Sequence, residues 1–96
     1  MKITVRCYGV FKSAAGAAFL QIDTATPEPT VRYVIDELVS RHDGDLRQLI
    51  FDGDTQDPRP NALIMVSGRE IGSLDGLNTR VTENDEISLL PIAHGG

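Results

Sequence analysis

Between residues 31 and 39 the spacing of apolar side chains changes from two to three and four, and that change limits what the chain can fold into. Val31, Val34, Ile35, Leu38 and Val39 recur at helical intervals, with Arg32, Asp36 and Glu37 on the opposite side. This is the pattern of an amphipathic helix with one dry stripe. Thr30 stands at the expected N-cap, where a hydroxyl accepts a bond from a free N–H of the first turn. Ser40 to Asp43 lead to Gly44, which is expected to close the helix. Leu46, Leu49, Ile50 and Phe51 suggest a short second helical turn or an irregular apolar segment. One helical stripe cannot bury itself, so another layer must cover it.

The stretches on either side supply that layer. From Lys2 to Val10 the chain alternates, with Ile3, Val5 and Cys7 on one face and Lys2, Thr4, Arg6 and Tyr8 on the other. A period of two reads as a half-buried strand. Gly9 and Ser13-Ala14-Ala15-Gly16 mark a turn, and a second strand over Ala17 to Asp23 places Ala18, Leu20 and Ile22 on one face. The two strands are expected to form an antiparallel hairpin. Beyond a polar loop from Asp52 to Asn61, Ala62 to Ser67 is a strand apolar on both faces. Ser67-Gly68-Arg69 turns the chain, and Glu70-Ile71 can pair briefly. Gly72 to Val81 reads as loop with one helical turn, Thr82 to Asp85 as a turn, and Glu86 to Ile92 as the last strand. In that strand Ile87 and Leu89 point at the helix, leaving Ser88, Leu90 and Ile92 outward. The expected class is α+β, one helix lying across one face of a mixed sheet.

Composition narrows the function classes. Ninety-six residues with 41% hydrophobic content support one core. A net charge of −5 argues against nucleic acid or an anionic membrane as the main partner and favours a basic groove on another protein. One cysteine, Cys7, makes no internal disulfide and no four-cysteine metal site. No apolar run approaches a membrane span and no signal peptide is visible, so the expected location is cytoplasmic.

Isolated reactive residues read mostly as structure. Cys7 shares its phase with Ile3 and Val5, which places it in the core as a small hydrophobe. His42 sits at a helix end, and His94 has no neighbour spaced for a metal; both are expected to face solvent. Asp52, Asp54 and Asp57 loosely resemble a calcium loop, but the glycine is misplaced and no closing glutamate falls at the right interval. No phosphate-binding glycine loop and no catalytic triad pattern is present.

The end of the sequence is different. An apolar strand runs through Leu89-Leu90-Pro91-Ile92 into Ala93-His94-Gly95-Gly96. Glycine loses the most conformational entropy on ordering and packs nothing, so two in succession read as a slim lead presenting a terminal carboxylate. Together with Leu74-Asp75-Gly76-Leu77, Asn84-Asp85 and the order of elements, this ending resembles the ubiquitin-like sulfur-carrier family. That family includes the small subunit of molybdopterin synthase, the thiamine sulfur carrier, archaeal small modifiers and the ubiquitin-related modifier. His94-Gly95-Gly96, and the run from Phe51 through Gly53-Asp54 and Arg59-Pro60 to the Leu63-Ile64-Met65-Val66 strand, lean towards the ubiquitin-related modifier. Ser67 to Ile71 lacks the tryptophan common in eukaryotic members, and Leu90-Pro91 leans towards bacterial and archaeal carriers. The best placement is an archaeal or bacterial version of the modifier.

The resemblance implies a β-grasp domain over residues 1–92, with the first and last strands central, adjacent and parallel, and a flexible tail over residues 93–96. It implies a protein that is not an enzyme but the substrate of an E1-like adenylating enzyme, which uses ATP and magnesium to activate Gly96. A sulfur donor then yields a thiocarboxylate for a tRNA-thiolating enzyme, or a target-protein lysine takes the tail in an isopeptide bond. Gly95 and Gly96 are the expected activated residues; Leu90, Ile92, His94 and Met65 are the expected partner-docking residues. Two alternatives stand beside this one. The first is a molybdopterin synthase sulfur carrier. The second is a β-grasp interaction domain whose tail is never activated.

Overall fold

The computed structural model describes residues 1–42, 44–51 and 56–92. Five strands form one mixed sheet: β1 (Lys2–Cys7), β2 (Phe19–Asp23), β3 (Ala62–Val66), β4 (Arg69–Glu70) and β5 (Glu86–Pro91). Their spatial order is β2-β1-β5-β3-β4. β1 and β5 are parallel neighbours, with Val5 beside Ile87 and Cys7 beside Leu89; every other pairing is antiparallel. The central parallel pair expected from the resemblance is therefore present. Three α-helices, α1 (Gly9–Ala15), α2 (Val31–Ser40) and α3 (Gly44–Ile50), and two 3-10 turns, Ile71–Ser73 and Gly76–Asn78, complete the elements among the described residues.

The alternation in each strand decides which face is covered. Ile3, Val5 and Cys7 of β1, Ala62, Ile64 and Val66 of β3, and Ile87 and Leu89 of β5 are all buried. They meet Val31, Val34, Ile35, Leu38 and Val39 of α2 and Leu46 and Ile50 of α3 in one hydrophobic cluster. Removing these side chains from water, at about 1.5–3 kcal/mol each, is the term that holds helix and sheet together. The N-cap of α2 is Thr30, whose Oγ1 accepts from the Tyr33 N–H at 3.1 Å. Between β3 and β4, Ser67 (φ 49°) and Gly68 (φ 85°) make a two-residue hairpin turn with both φ values positive. Such a turn matches the strands' twist, and glycine adopts it without strain.

Three sequence expectations need correction. β1 ends at Cys7, and the stretch read as a turn from Gly9 to Gly16 is the two-turn helix α1. β1 and β2 are antiparallel neighbours as expected, but a helix joins them. Phe11 carries that helix: it is fully buried in the shared core, and Gly16 ends it in the left-handed conformation with its N–H on the Lys12 carbonyl. Next, Gly44 opens α3 instead of closing α2. The end of α2 is made by Arg41 and His42, whose N–H groups donate to the Leu38 and Val39 carbonyls respectively. Finally, His42 is half-buried, its Nδ1 donating to the Leu38 carbonyl at 2.8 Å.

Candidate docking face and tail root

Because α2 and α3 cover one face of the sheet, the alternate residues of each strand form the other. Leu90 of β5 lies opposite Leu63 of β3, and Ser88 opposite Met65. On the far side Arg6 of β1 lies beside Ser88 and opposite Phe19 of β2. The Arg6 guanidinium stacks between two rings, 4.7 Å from the Tyr8 centroid and 5.0 Å from the Phe19 centroid. Phe19 remains 54% exposed, Ile92 41% and Leu63 38%, whereas Leu90 and Met65 are half-buried. These residues make a contiguous apolar face, with one cation held over aromatic rings, next to the end of β5. Exposed apolar surface of this kind marks interaction sites, and aromatic and arginine anchors dominate binding energy at such sites.

Of the expected docking residues, Leu90, Ile92 and Met65 all fall on or beside this face. His94, Gly95 and Gly96 lie outside the described residues. Reading the sequence missed Phe19, Tyr8 and Arg6 as parts of the face. The signal was available: with Leu20 and Ile22 inward, a period of two turns Phe19 outward, and Tyr8 and Arg6 were already on the polar side of β1.

The root of the tail is fixed on a strand paired on both sides. The Tyr8 N–H donates to the Leu89 carbonyl at 3.2 Å, and the Ile92 N–H donates to the Asn61 carbonyl at 3.0 Å. Backbone pairing therefore includes Ile92, one residue past β5.

Among the described residues no other side chain has the setting of a reactive group. Cys7 is buried, and burial pushes its thiol up to about 11; a neutral thiol in apolar surroundings is inert. Asp57, from the aspartate-rich loop, is held by the Arg59 guanidinium at 2.7 Å, and this hydrogen-bonded ion pair lowers its carboxyl to about 2. Asp52 and Asp54 lie outside the described residues. Among the described residues no group of three or more histidine, cysteine or acidic side chains could hold a metal ion, and no helix is long and apolar enough to cross a membrane.

Comparison with known proteins agrees with this geometry. No protein-family model matches the chain. Small archaeal modifier protein 3 of Haloferax volcanii is 29% identical over 98 residues, with both chains covered in full. Among solved structures, small archaeal modifier protein 1 of Methanosarcina acetivorans superposes with a TM-score of 0.82 at 28% identity, over 99% of this chain and 96% of that one. Urm1 of Trypanosoma brucei gives 0.79 at 23% identity, over 99% and 95% respectively, and at that identity shows the fold alone. The chain thus has the ubiquitin-like β-grasp fold and is similar over its whole length to small archaeal modifier proteins.

Proposed function

We propose that this protein is a carrier and modifier whose Gly96 carboxylate is activated by an E1-like adenylating enzyme. The observation that carries the reading is the construction of β5. A central strand, anchored in the core by Ile87 and Leu89, offers Leu90 and Ile92 outward immediately before the sequence Ala93-His94-Gly95-Gly96. A rigid strand, an apolar face and a diglycine in series form a docking surface with a substrate beside it.

The chemistry follows from the inertness of a carboxylate. With Gly96 as the final residue, its carboxylate oxygen attacks the α-phosphorus of ATP, held with magnesium by the partner, and pyrophosphate leaves. The resulting acyl-adenylate is attacked by hydrosulfide to give a thiocarboxylate, or by a lysine amine to give an isopeptide bond; a proton is lost and AMP departs in both cases. Neither step requires an acid or base from this chain. Its own contribution is to bind and to present. Gly95 and Gly96 lack Cβ atoms, so the backbone can thread a narrow channel and take whatever φ the partner requires. His94 is close enough in sequence to contact the same partner.

Incubation with the adenylating enzyme, ATP and magnesium tests the reading. Chain-dependent pyrophosphate exchange that disappears on deletion of Gly96 supports it. Equal exchange by the deleted protein overturns it.

A further inference from the structure

We infer that Gly9 and Pro91 form a positioning contact that sets the direction in which the chain leaves the sheet. Its consequence for activation rests on the function proposed above, whereas its physical basis is the hydrogen-bond pattern around β5. Along β5 backbone groups point alternately to the two neighbours. Ile92 and Leu90 turn theirs to β3, as the bond from the Ile92 N–H to the Asn61 carbonyl shows. Leu89 and Pro91 turn theirs towards β1.

On the β1 side the ladder stops for a reason. The Leu89 carbonyl accepts from the Tyr8 N–H, and the parallel register would next require an N–H at position 91 to reach the Tyr8 carbonyl. That carbonyl is already used twice, accepting from Phe11 at 3.0 Å and Lys12 at 3.3 Å as α1 begins. Proline at 91 removes the donor that would have been left without a partner. Its ring takes the space instead. A Cβ placed on Gly9 would lie 3.0 Å from Pro91 Cγ and 3.7 Å from Cδ, and Gly9 has a φ of +54°, where a side chain is strained whatever the space.

The two residues answer one another. Glycine lets β1 turn sharply into α1 directly beside the pyrrolidine ring. Proline fixes its own φ and needs no partner there. With Pro91 against Gly9 on one side and the Ile92 N–H on the Asn61 carbonyl on the other, the end of the strand is held from both flanks, and Ile92 leaves it with a set origin and direction.

The test uses the full chain and two variants, Pro91→Ala and Gly9→Ala, with two readouts. Hydrogen exchange by NMR is followed at the Ile92 amide, with the Ile87 and Leu89 amides as internal references. Pyrophosphate exchange with the adenylating enzyme, ATP and magnesium gives KM and kcat for the chain. The contact is expected to hold the Ile92 amide. Either variant should speed its exchange about tenfold, leave the Ile87 and Leu89 amides protected, and lower kcat about tenfold with KM unchanged, the signature of misplacement without loss of docking. Unchanged exchange at Ile92 in a folded Pro91→Ala protein overturns the contact, and Pro91→Ala decides if Gly9→Ala does not fold. Faster exchange with unchanged kcat overturns its role in activation. An absence of turnover by the unaltered chain overturns the proposed function, and the Ile92 exchange then still decides the contact.

Discussion

Leu90 and Leu63 face each other across β5 and β3 on the open side of the sheet, while the next pair along the same strands, Leu89 and Ile64, faces the helices. One step of a two-residue period separates a docking position from a core position. Leu90→Asp and Leu63→Asp are therefore expected to leave the melting temperature nearly unchanged while weakening binding to the adenylating enzyme. Leu89→Ala is expected to destabilise the fold by about 2–5 kcal/mol, the usual cost of truncating a fully buried leucine. Thermal melts of the three variants, beside a binding titration, check both halves. A large stability loss in Leu90→Asp would place that residue in the core.

Gly95 and Gly96 are expected to be silent in folding and decisive in activation. Gly96→Ala, or Gly95→Val, should melt with the unaltered protein and lose adenylation, because a Cβ in the threaded segment clashes or turns the carboxylate away. Melting curves and pyrophosphate exchange on the same samples separate the two effects.

Cys7 gives a pH dependence of definite sign. Its thiol sits at about 11 in the folded protein against 9.0 unperturbed, so above pH 9 the unfolded chain sheds a proton that the folded chain keeps. The stability this group contributes is complete below pH 9 and is lost as the pH rises through about 11, by up to about 3 kcal/mol. Denaturant titrations at pH 8 and 10.5, compared with Cys7→Ala, should show the extra alkaline loss only in the protein that has the thiol. At pH 8, alkylation of Cys7 should require unfolding.

Asp57 moves in the opposite direction. Its carboxylate, hydrogen-bonded by Arg59, is expected to titrate near 2, and Arg59→Ala should return it to the ordinary carboxylate range near 3.8. The group's contribution to stability is present above its unfolded value and disappears as the pH falls through about 2. A carboxyl chemical-shift titration of both proteins reads this directly.

Thr30 is expected to contribute through its cap. Thr30→Ala should cost about 0.5–2 kcal/mol, and Thr30→Asn much less, since asparagine can accept the same bond from the Tyr33 N–H. Denaturant midpoints of the two variants give the comparison.

Much of this was legible in the sequence because two periods carry most of the fold. Every residue of the helical stripe from Val31 to Val39 is buried, and the alternations of β1 and β5 assign the inward residues correctly. The outer set of β3, Leu63 and Met65, could not be chosen from a strand apolar on both sides; the register against β5 chose it. The helix α1 was illegible for a physical reason. Seven residues show barely two turns of periodicity, the helix ends in Ser-Ala-Ala, and what forms it is the burial of Phe11 in a core assembled from distant segments. Gly44 misled because glycine follows helix ends often and begins helices seldom. The Gly9–Pro91 pair joins residues far apart in sequence, and only the fold brings them together.

The mass of the intact protein tests the central claim most directly. After incubation with the adenylating enzyme, ATP, magnesium and a sulfur donor, the chain should gain the difference between one sulfur and one oxygen, located by fragmentation at Gly96. The gain should require ATP and be absent from Gly96→Ala. An unchanged mass, with no adenylate trapped when the sulfur donor is omitted, would contradict the account.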